Sequence, residues 1–379
     1  MKKILFITGT RADYGKIKSL LKTLEADPNY DLRVFVSGMH LVDRLGNTYR
    51  EVLKDCYKNV YVDFSQACSG IMSYDLGSII SNLTNYVLKT SPDMIVVHGD
   101  RIDTMAGAVV GALNNIIVAH IEGGELSGTI DESIRHAVTK LSHLHLVSNE
   151  EAKKRLIQLG EDKTRIFIIG SPDIDIMLSD TLPSLDEVKQ RYDIDYDKYA
   201  ICMYHPVTTE LQYLHTNIKI LVDALIDSKY NYVIIYPNND QGSEIIINEY
   251  RRLENNPRFR IFPSLRFEYF LTLLKNAAYM IGNSSAGIRE TGVYAIPGID
   301  IGSRQNGRFS SQNKNLQHVD GSYDSIMKSI DIVDNYRLIS YQFGRGNSTE
   351  SFMQIINDNK IWNMNVQKKF IDIRKDSDV

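Results

Sequence analysis

Three acids that could move protons, Asp100, Glu122 and Asp131, lie in one stretch of the chain between Met94 and Leu146. The first two stand directly after short β-rich apolar runs, residues 94–98 and 116–121. Those runs end in His98-Gly99-Asp100-Arg101 and in Glu122-Gly123-Gly124-Glu125. Clustered carboxylates repel one another unless a task retains them, and a cluster whose members differ in proton affinity can take one proton and give another. The chemistry suggested is general acid–base work on a substrate. Taken alone, Asp131 fits equally well an N-cap beside Arg135 and His136. In the second half, His205-Pro206 follows the apolar run 199–204. Histidine is the common acid–base group near neutrality, although a satisfied turn residue accounts for it as well.

A second kind of chemistry is anion binding. Gly282-Asn283-Ser284-Ser285-Ala286-Gly287 follows an apolar run and opens a helical pattern. Glycine, two hydroxyls and free N–H groups at a helix start suit a phosphate. Glu290, further along, is placed to accept from a ribose diol, and Arg304 to supply a cation; a helix merely capped by serine is the plainer alternative. The first strand runs into Gly9-Thr10-Arg11-Ala12-Asp13-Tyr14-Gly15-Lys16, again a loop leading to a helix N-terminus. It is neither GxGxxG nor a Walker loop, so an ordinary turn with a surface arginine stays open.

The elements that must position these residues are strands and helices in alternation. Runs 94–98 and 116–121, with a small-residue helical pattern over 104–113 between them, form a βαβ unit, which requires parallel strands. Ligands of such sheets bind beyond the carboxyl ends of the strands, so Asp100 and Glu122 are expected to project into one crevice. Further strands are expected at 3–8, 32–37, 60–64 and 144–147, and helices at 43–59, 70–89 and 132–141. A second series follows at 199–204, 232–236, 259–262, 279–281 and 298–301. The predicted fold is α/β with two doubly wound parallel-sheet domains and an interdomain cleft: residues 1–175 carry the acids, 176–198 connect, 199–358 bind the nucleotide. Residues 359–379 are expected to form a C-terminal helix packing back on the first domain.

Composition excludes other classes. At 379 residues, 43% hydrophobic and 24% charged, the chain is an ordinary globular one, long enough for two domains. A net charge of −4 and pI near 6.2 argue against nucleic-acid binding and against a polybasic membrane surface. Cys56, Cys68 and Cys202 show neither CxxC nor an even framework, consistent with a reducing cytoplasm and no zinc site. No apolar span reaches about 18 residues, so a cytoplasmic protein is expected.

Beyond these readings, the chain resembles the hydrolysing UDP-N-acetylglucosamine 2-epimerases that make N-acetylmannosamine for sialic acid synthesis, bacterial capsule enzymes above all. The likeness covers nearly the whole chain. It is carried by GTRADYGK at 9–16, SGMH at 37–40, HGDR at 98–101, HIEGGELSGTIDESIRH at 120–136, GSPDID at 170–175, HPVTTE at 205–210, YPNND at 236–240 and GNSSAGIRE at 282–290. It implies a GT-B-like pair of Rossmann-type domains with the substrate between them, and a homodimer. The implied reaction is anti elimination of UDP to 2-acetamidoglucal, then syn addition of water. By position the family's catalytic acids fall on Asp100, Glu122 and Asp131, its cleft histidine on His205, and its nucleotide contacts on Arg11, Ser284, Ser285, Glu290 and Arg304, with no departure at these positions. Asp13, Lys16, His40, Arg101 and Asn239, on neighbouring loops, are further candidate substrate contacts. The scheme needs no cofactor and no metal; its partner is a UDP-linked 2-acetamido sugar.

Which acid performs which step stays open. So do a non-hydrolysing epimerase that re-adds UDP, and a hydrolysing enzyme for another nucleotide sugar, UDP-diacetamido-trideoxyhexose or GDP-linked. A glycosyltransferase of the same fold leaves the carboxylate trio unexplained, and so does a non-catalytic sugar-nucleotide sensor.

Overall fold

The computed structural model describes residues 1–43, 46–66, 68–127, 130–237, 241–308 and 313–372; Asn239 lies outside the described residues. The chain divides into two units, Met1–Leu178 with Phe343–Val379, and Ser179–Gln342. Among the described residues no helix is long and apolar enough to cross a membrane.

The first unit is built on seven strands: β1 (Lys2–Thr8), β2 (Tyr30–Val36), β3 (Val60–Val62), β4 (Met94–His98), β5 (Ile117–Ile121), β6 (Leu144–Val147) and β7 (Ile166–Ile168). They are all parallel in the order β3-β2-β1-β4-β5-β6-β7. Apolar runs such as IVAHI, buried at every position, are what a parallel strand covered on both faces requires. The order reverses at β1, which pairs β2 on one side and β4 on the other; such a switch point opens a crevice at the strand ends. The helix Ile102–Leu113 lies close on this sheet because it is small. A Cβ on Gly107 would fall 2.4 Å from the Ile7 Cδ1, and one on Gly111 would fall 2.3 Å from the Val118 Cγ2.

The second unit carries β8 (Tyr199–Met203), β9 (Asn231–Ile235), β10 (Phe259–Phe262), β11 (Met280–Gly282), β12 (Gly298–Ile301) and β13 (Leu316–Val319). These too are parallel, in the order β10-β9-β8-β11-β12-β13. Both units are doubly wound parallel-sheet domains, as the alternation of elements predicts.

The structure differs from the expected elements in five places. Of the C-terminal helix expected over 359–379, only Asn359–Trp362 forms among the described residues. Strands β7 and β13 were not expected; both are short and lie at sheet edges. Of the helix expected over 43–59, only Tyr49–Lys54 forms among the described residues. The stretch 176–198 is not a bare connector: the helix Leu185–Tyr192 belongs to the second unit, where Val188 is buried and the Tyr269 hydroxyl donates to Glu187 at 2.9 Å. The chain also rejoins the first unit at Phe343, earlier than the expected boundary at 358/359. The cause is the amphipathic helix Ser348–Ile356, whose Phe352 and Ile356 complete the core over β1 and the helix Arg11–Ala26. Tyr30 secures this return by donating to Asn357 at 2.7 Å.

Candidate active site

In the first unit β4 and β5 pair with His98 opposite Ile121, so Asp100 and Glu122 emerge at neighbouring strand tips. Asp100 forms an ion pair with Arg135 and lies 3.5 Å from the Ser127 hydroxyl. Arg135 is buried, with Nε and Nη1 unpartnered among the described residues. Asp131 is in the first turn of the helix Ile130–Leu141 rather than at its cap. It lies one turn before Arg135, and residues four apart share a helix face, so it belongs to the same end of the sheet as Asp100.

Glu122 is serviced differently. Its backbone is left-handed, φ +64°, a conformation that costs a non-glycine residue about 1–3 kcal/mol and marks functional turns. Its carboxylate accepts from the Ser171 hydroxyl and lies 3.3 Å from the His98 Nε2. Ser171 is itself pinned, its N–H donating to the Phe343 carbonyl at 2.7 Å. Gly170 and Gly344 have positive φ, and a Cβ on either would come within 3.2 Å of the other's Cα. The two segments therefore meet through glycines just behind Glu122. Glu125, also near by in sequence, is engaged by the Ser148 hydroxyl at 2.8 Å.

The first loop spends some of its candidates on holding itself. Asp13 accepts from the Gly9 and Thr10 N–H groups, both at 3.0 Å, and from the Thr8 hydroxyl at 2.7 Å, completing a capping box with Thr10. His40 is fully buried, with its ring nitrogens 3.0 Å from the Thr8 and 2.8 Å from the Thr48 hydroxyl; burial holds its pKa below the usual value. Asp13 and His40 thus shape the loop. Arg11 is half-buried against Glu51 at 2.8 Å, Lys16 pairs with the buried Asp173 at 3.2 Å, and Arg101 is exposed at the start of the helix Ile102–Leu113. Beneath the loop lies Asp103, which sequence reasoning missed. Its carboxyl accepts from the Ser37 hydroxyl at 2.6 Å and fills the space a Cβ on Gly9 or Gly38 would need. Burial pushes it up to about 6, against the pull of the Ser37 bond.

In the second unit one asparagine organises the site. The Asn283 Oδ1 accepts from the His205 N–H at 2.6 Å, and its Nδ2 donates to the His205 carbonyl at 2.8 Å. Gly282, at φ +138°, permits this: a Cβ there would fall 1.9 Å from the Met203 carbonyl oxygen. Arg304 and Gln305 then donate to the Asn283 carbonyl at 3.0 and 2.8 Å. His205, Asn283, Ser284 and Arg304 are in this way brought together. Burial first, and the Arg304 charge second, lower the His205 pKa to about 3, so its imidazole is neutral at physiological pH. Ser285 stands at the N-cap of the helix Ala286–Val293 without making the side-chain cap bond, which sets aside the plain capping explanation for its hydroxyl. Glu290 is buried one turn along that helix.

Sequence reasoning quoted His98 and Ser171 within motifs without giving them a role, and it took Arg135 only as a helix-dipole partner. An available signal was the HGDR motif itself, a histidine at a strand end two residues before an acid.

Comparison with known proteins bears on this arrangement. Residues 22–357 match the family described as UDP-N-acetylglucosamine 2-epimerase. The chain is 46% identical over 378 residues to the UDP-N-acetylglucosamine 2-epimerase of Neisseria meningitidis serogroup B, covering 98% of this chain and 100% of that protein. It is 35% identical over 363 residues to the UDP-N,N'-diacetylbacillosamine 2-epimerase (hydrolyzing) of Legionella pneumophila, covering 94% and 96%. In fold it is similar to the crystal structure of UDP-GlcNAc 2-epimerase from Neisseria meningitidis bound to UDP-GlcNAc, with a TM-score of 0.78 at 17% identity, covering 93% and 99%. By the extent of these matches, the chain belongs to the UDP-N-acetylglucosamine 2-epimerase family.

Proposed function

We propose that the chain is a hydrolysing 2-epimerase converting UDP-N-acetylglucosamine and water to N-acetylmannosamine and UDP. A base removes the proton from carbon 2 as UDP leaves carbon 1, giving 2-acetamidoglucal. Water then adds its oxygen to carbon 1, and a proton adds to carbon 2 on that same face, opposite the face from which the first proton left. The observation that carries this reading is the unequal service of two neighbouring carboxyls: Asp100 against the Arg135 guanidinium, Glu122 against the Ser171 hydroxyl and His98. Elimination followed by hydration needs one group that takes a proton and one that gives it, and differing environments divide such roles. Asp131 is the third acid, for water activation. Ser284, Ser285 and the helix start hold the departing diphosphate electrostatically, with Arg304 and Arg11 as cations, Glu290 on the ribose and neutral His205 as a hydrogen-bonding group.

The hydrolysing course is favoured by the SGTIDESIRH segment and by the Legionella relative, whose name states it. That same relative favours a second reading, a UDP-linked diacetamido sugar as substrate. Incubation with a panel of UDP- and GDP-linked 2-acetamido sugars, read by proton NMR, tests both. Free UDP rising in step with N-acetylmannosamine is expected; UDP-N-acetylmannosamine without free UDP would refute the hydrolytic course, and turnover confined to the diacetamido sugar would establish the second substrate.

A further inference from the structure

We propose that His98 is a positioning residue for Glu122, presenting its Nε2–H to one carboxyl oxygen while Ser171 holds the other. The inference rests on the reading of Glu122 as a proton-transfer residue and adds to it a residue with no role so far.

His98 is the last residue of β4, and its backbone is fixed from two sides. Its carbonyl accepts from the Thr104 hydroxyl at 2.8 Å, and the following Gly99 donates its N–H to the Ile121 carbonyl at 3.0 Å. The residue is only 7% exposed, and its Nε2 lies 3.3 Å from the Glu122 Oε2. Neither ring nitrogen makes an aligned hydrogen bond to any described residue. A histidine retained only for the core spends its nitrogens on neighbours, as His40 does on Thr8 and Thr48, and as His143 does by accepting from the Val118 N–H at 3.0 Å. Leaving a buried polar atom without a partner costs about 1–3 kcal/mol, so its retention beside the strained Glu122 points to a task. Contacts to a catalytic group are often long before substrate binds and tighten afterwards. With Nε2–H on Oε2 and the Ser171 hydroxyl on Oε1, the carboxyl rotamer is fixed and its remaining lone pairs are directed away from the sheet.

The test uses two substitutions of similar size in the full chain. The Asn in His98→Asn has no donor at the Nε2 position, whereas the amide in His98→Gln reaches it. His98→Asn is expected to lower kcat about 10- to 100-fold, the usual size of losing a group that orients an active one, with KM within about twofold. His98→Gln is expected to restore most of that loss. In a Glu122→Gln background, His98→Asn is expected to cost nothing further, because a residue acting through Glu122 has nothing left to act on. An unchanged kcat in His98→Asn, an equal loss in Asn and Gln that tracks loss of folded protein, or a full additional loss in the Glu122→Gln background would each overturn the proposal. If Glu122→Gln itself turns over normally, the reading of Glu122 fails; if it is inactive while His98→Asn is normal, only the role of His98 fails.

Discussion

Replacing Asn283 by alanine removes the one side chain that satisfies both backbone groups of His205. Both residues are buried, so the His205 N–H and carbonyl, now bonded at 2.6 and 2.8 Å, lose their partners where water does not readily replace them. At about 1–3 kcal/mol for each orphaned group, the loss is about 2–6 kcal/mol. For a domain of this size that is a fall in melting temperature on the order of 10 °C. The Asn283 carbonyl also anchors Arg304 and Gln305, so the cation and the serine turn loosen with it. UDP affinity measured by calorimetry is expected to fall by about tenfold or more, the equivalent of about 1.4 kcal/mol. Asn283→Asp keeps the acceptor for the N–H and sets an oxygen against the carbonyl, and an intermediate loss is expected. Asn283→Ala with unchanged melting and unchanged UDP affinity would refute the view that this amide builds the second unit's site.

Asp100→Asn, Glu122→Gln and Asp131→Asn are each expected to lower turnover by about 10²–10⁴-fold, the range of general acid–base catalysis; near-normal rates in all three would remove the assignment of the acids. Ser285→Ala combined with Glu290→Ala is expected to weaken UDP binding, and calorimetry showing an unchanged affinity would contradict the nucleotide role. Stability should fall with acid. His120 and His205 are buried with pKa values lowered to about 3. Below about pH 6.5 the unfolded chain binds their protons while the folded chain does not, so each contribution, full above that pH, is lost as pH drops toward 3 at up to about 1.4 kcal/mol per unit. Asp103, raised to about 6, works in the opposite direction and reduces the net slope. Thermal melts at pH 7.5 and 5 check this, and equal melting temperatures would contradict it.

Strand tips were legible because a buried parallel strand is predominantly apolar until it ends: MIVVH then Gly-Asp, and IVAHI then Glu-Gly, announce their boundaries even with a histidine in each. The serine turn was legible for the same reason. What escaped were features set by contacts distant in sequence. β7 and β13, with three and four residues, carry too little pattern to stand out and exist because a neighbouring strand offers its edge. The return at Phe343 is decided by Phe352 and Ile356 fitting a core whose other members lie hundreds of residues earlier. Asp13 and His40 look like ligand residues in a loop, and only their partners show that they hold the loop together. Asp103 stands just ahead of the helical pattern read over 104–113 and drew no attention there, its place revealed by the two glycines that make room for it.

The central claim is that carboxyl groups of this chain remove and return a proton at carbon 2 of the sugar. It is tested most directly by running the reaction from unlabelled UDP-N-acetylglucosamine in deuterium oxide and reading carbon 2 of the sugar product by NMR. The account predicts one solvent deuterium at that carbon with inverted configuration. A product with inverted configuration that keeps its original hydrogen there would contradict it.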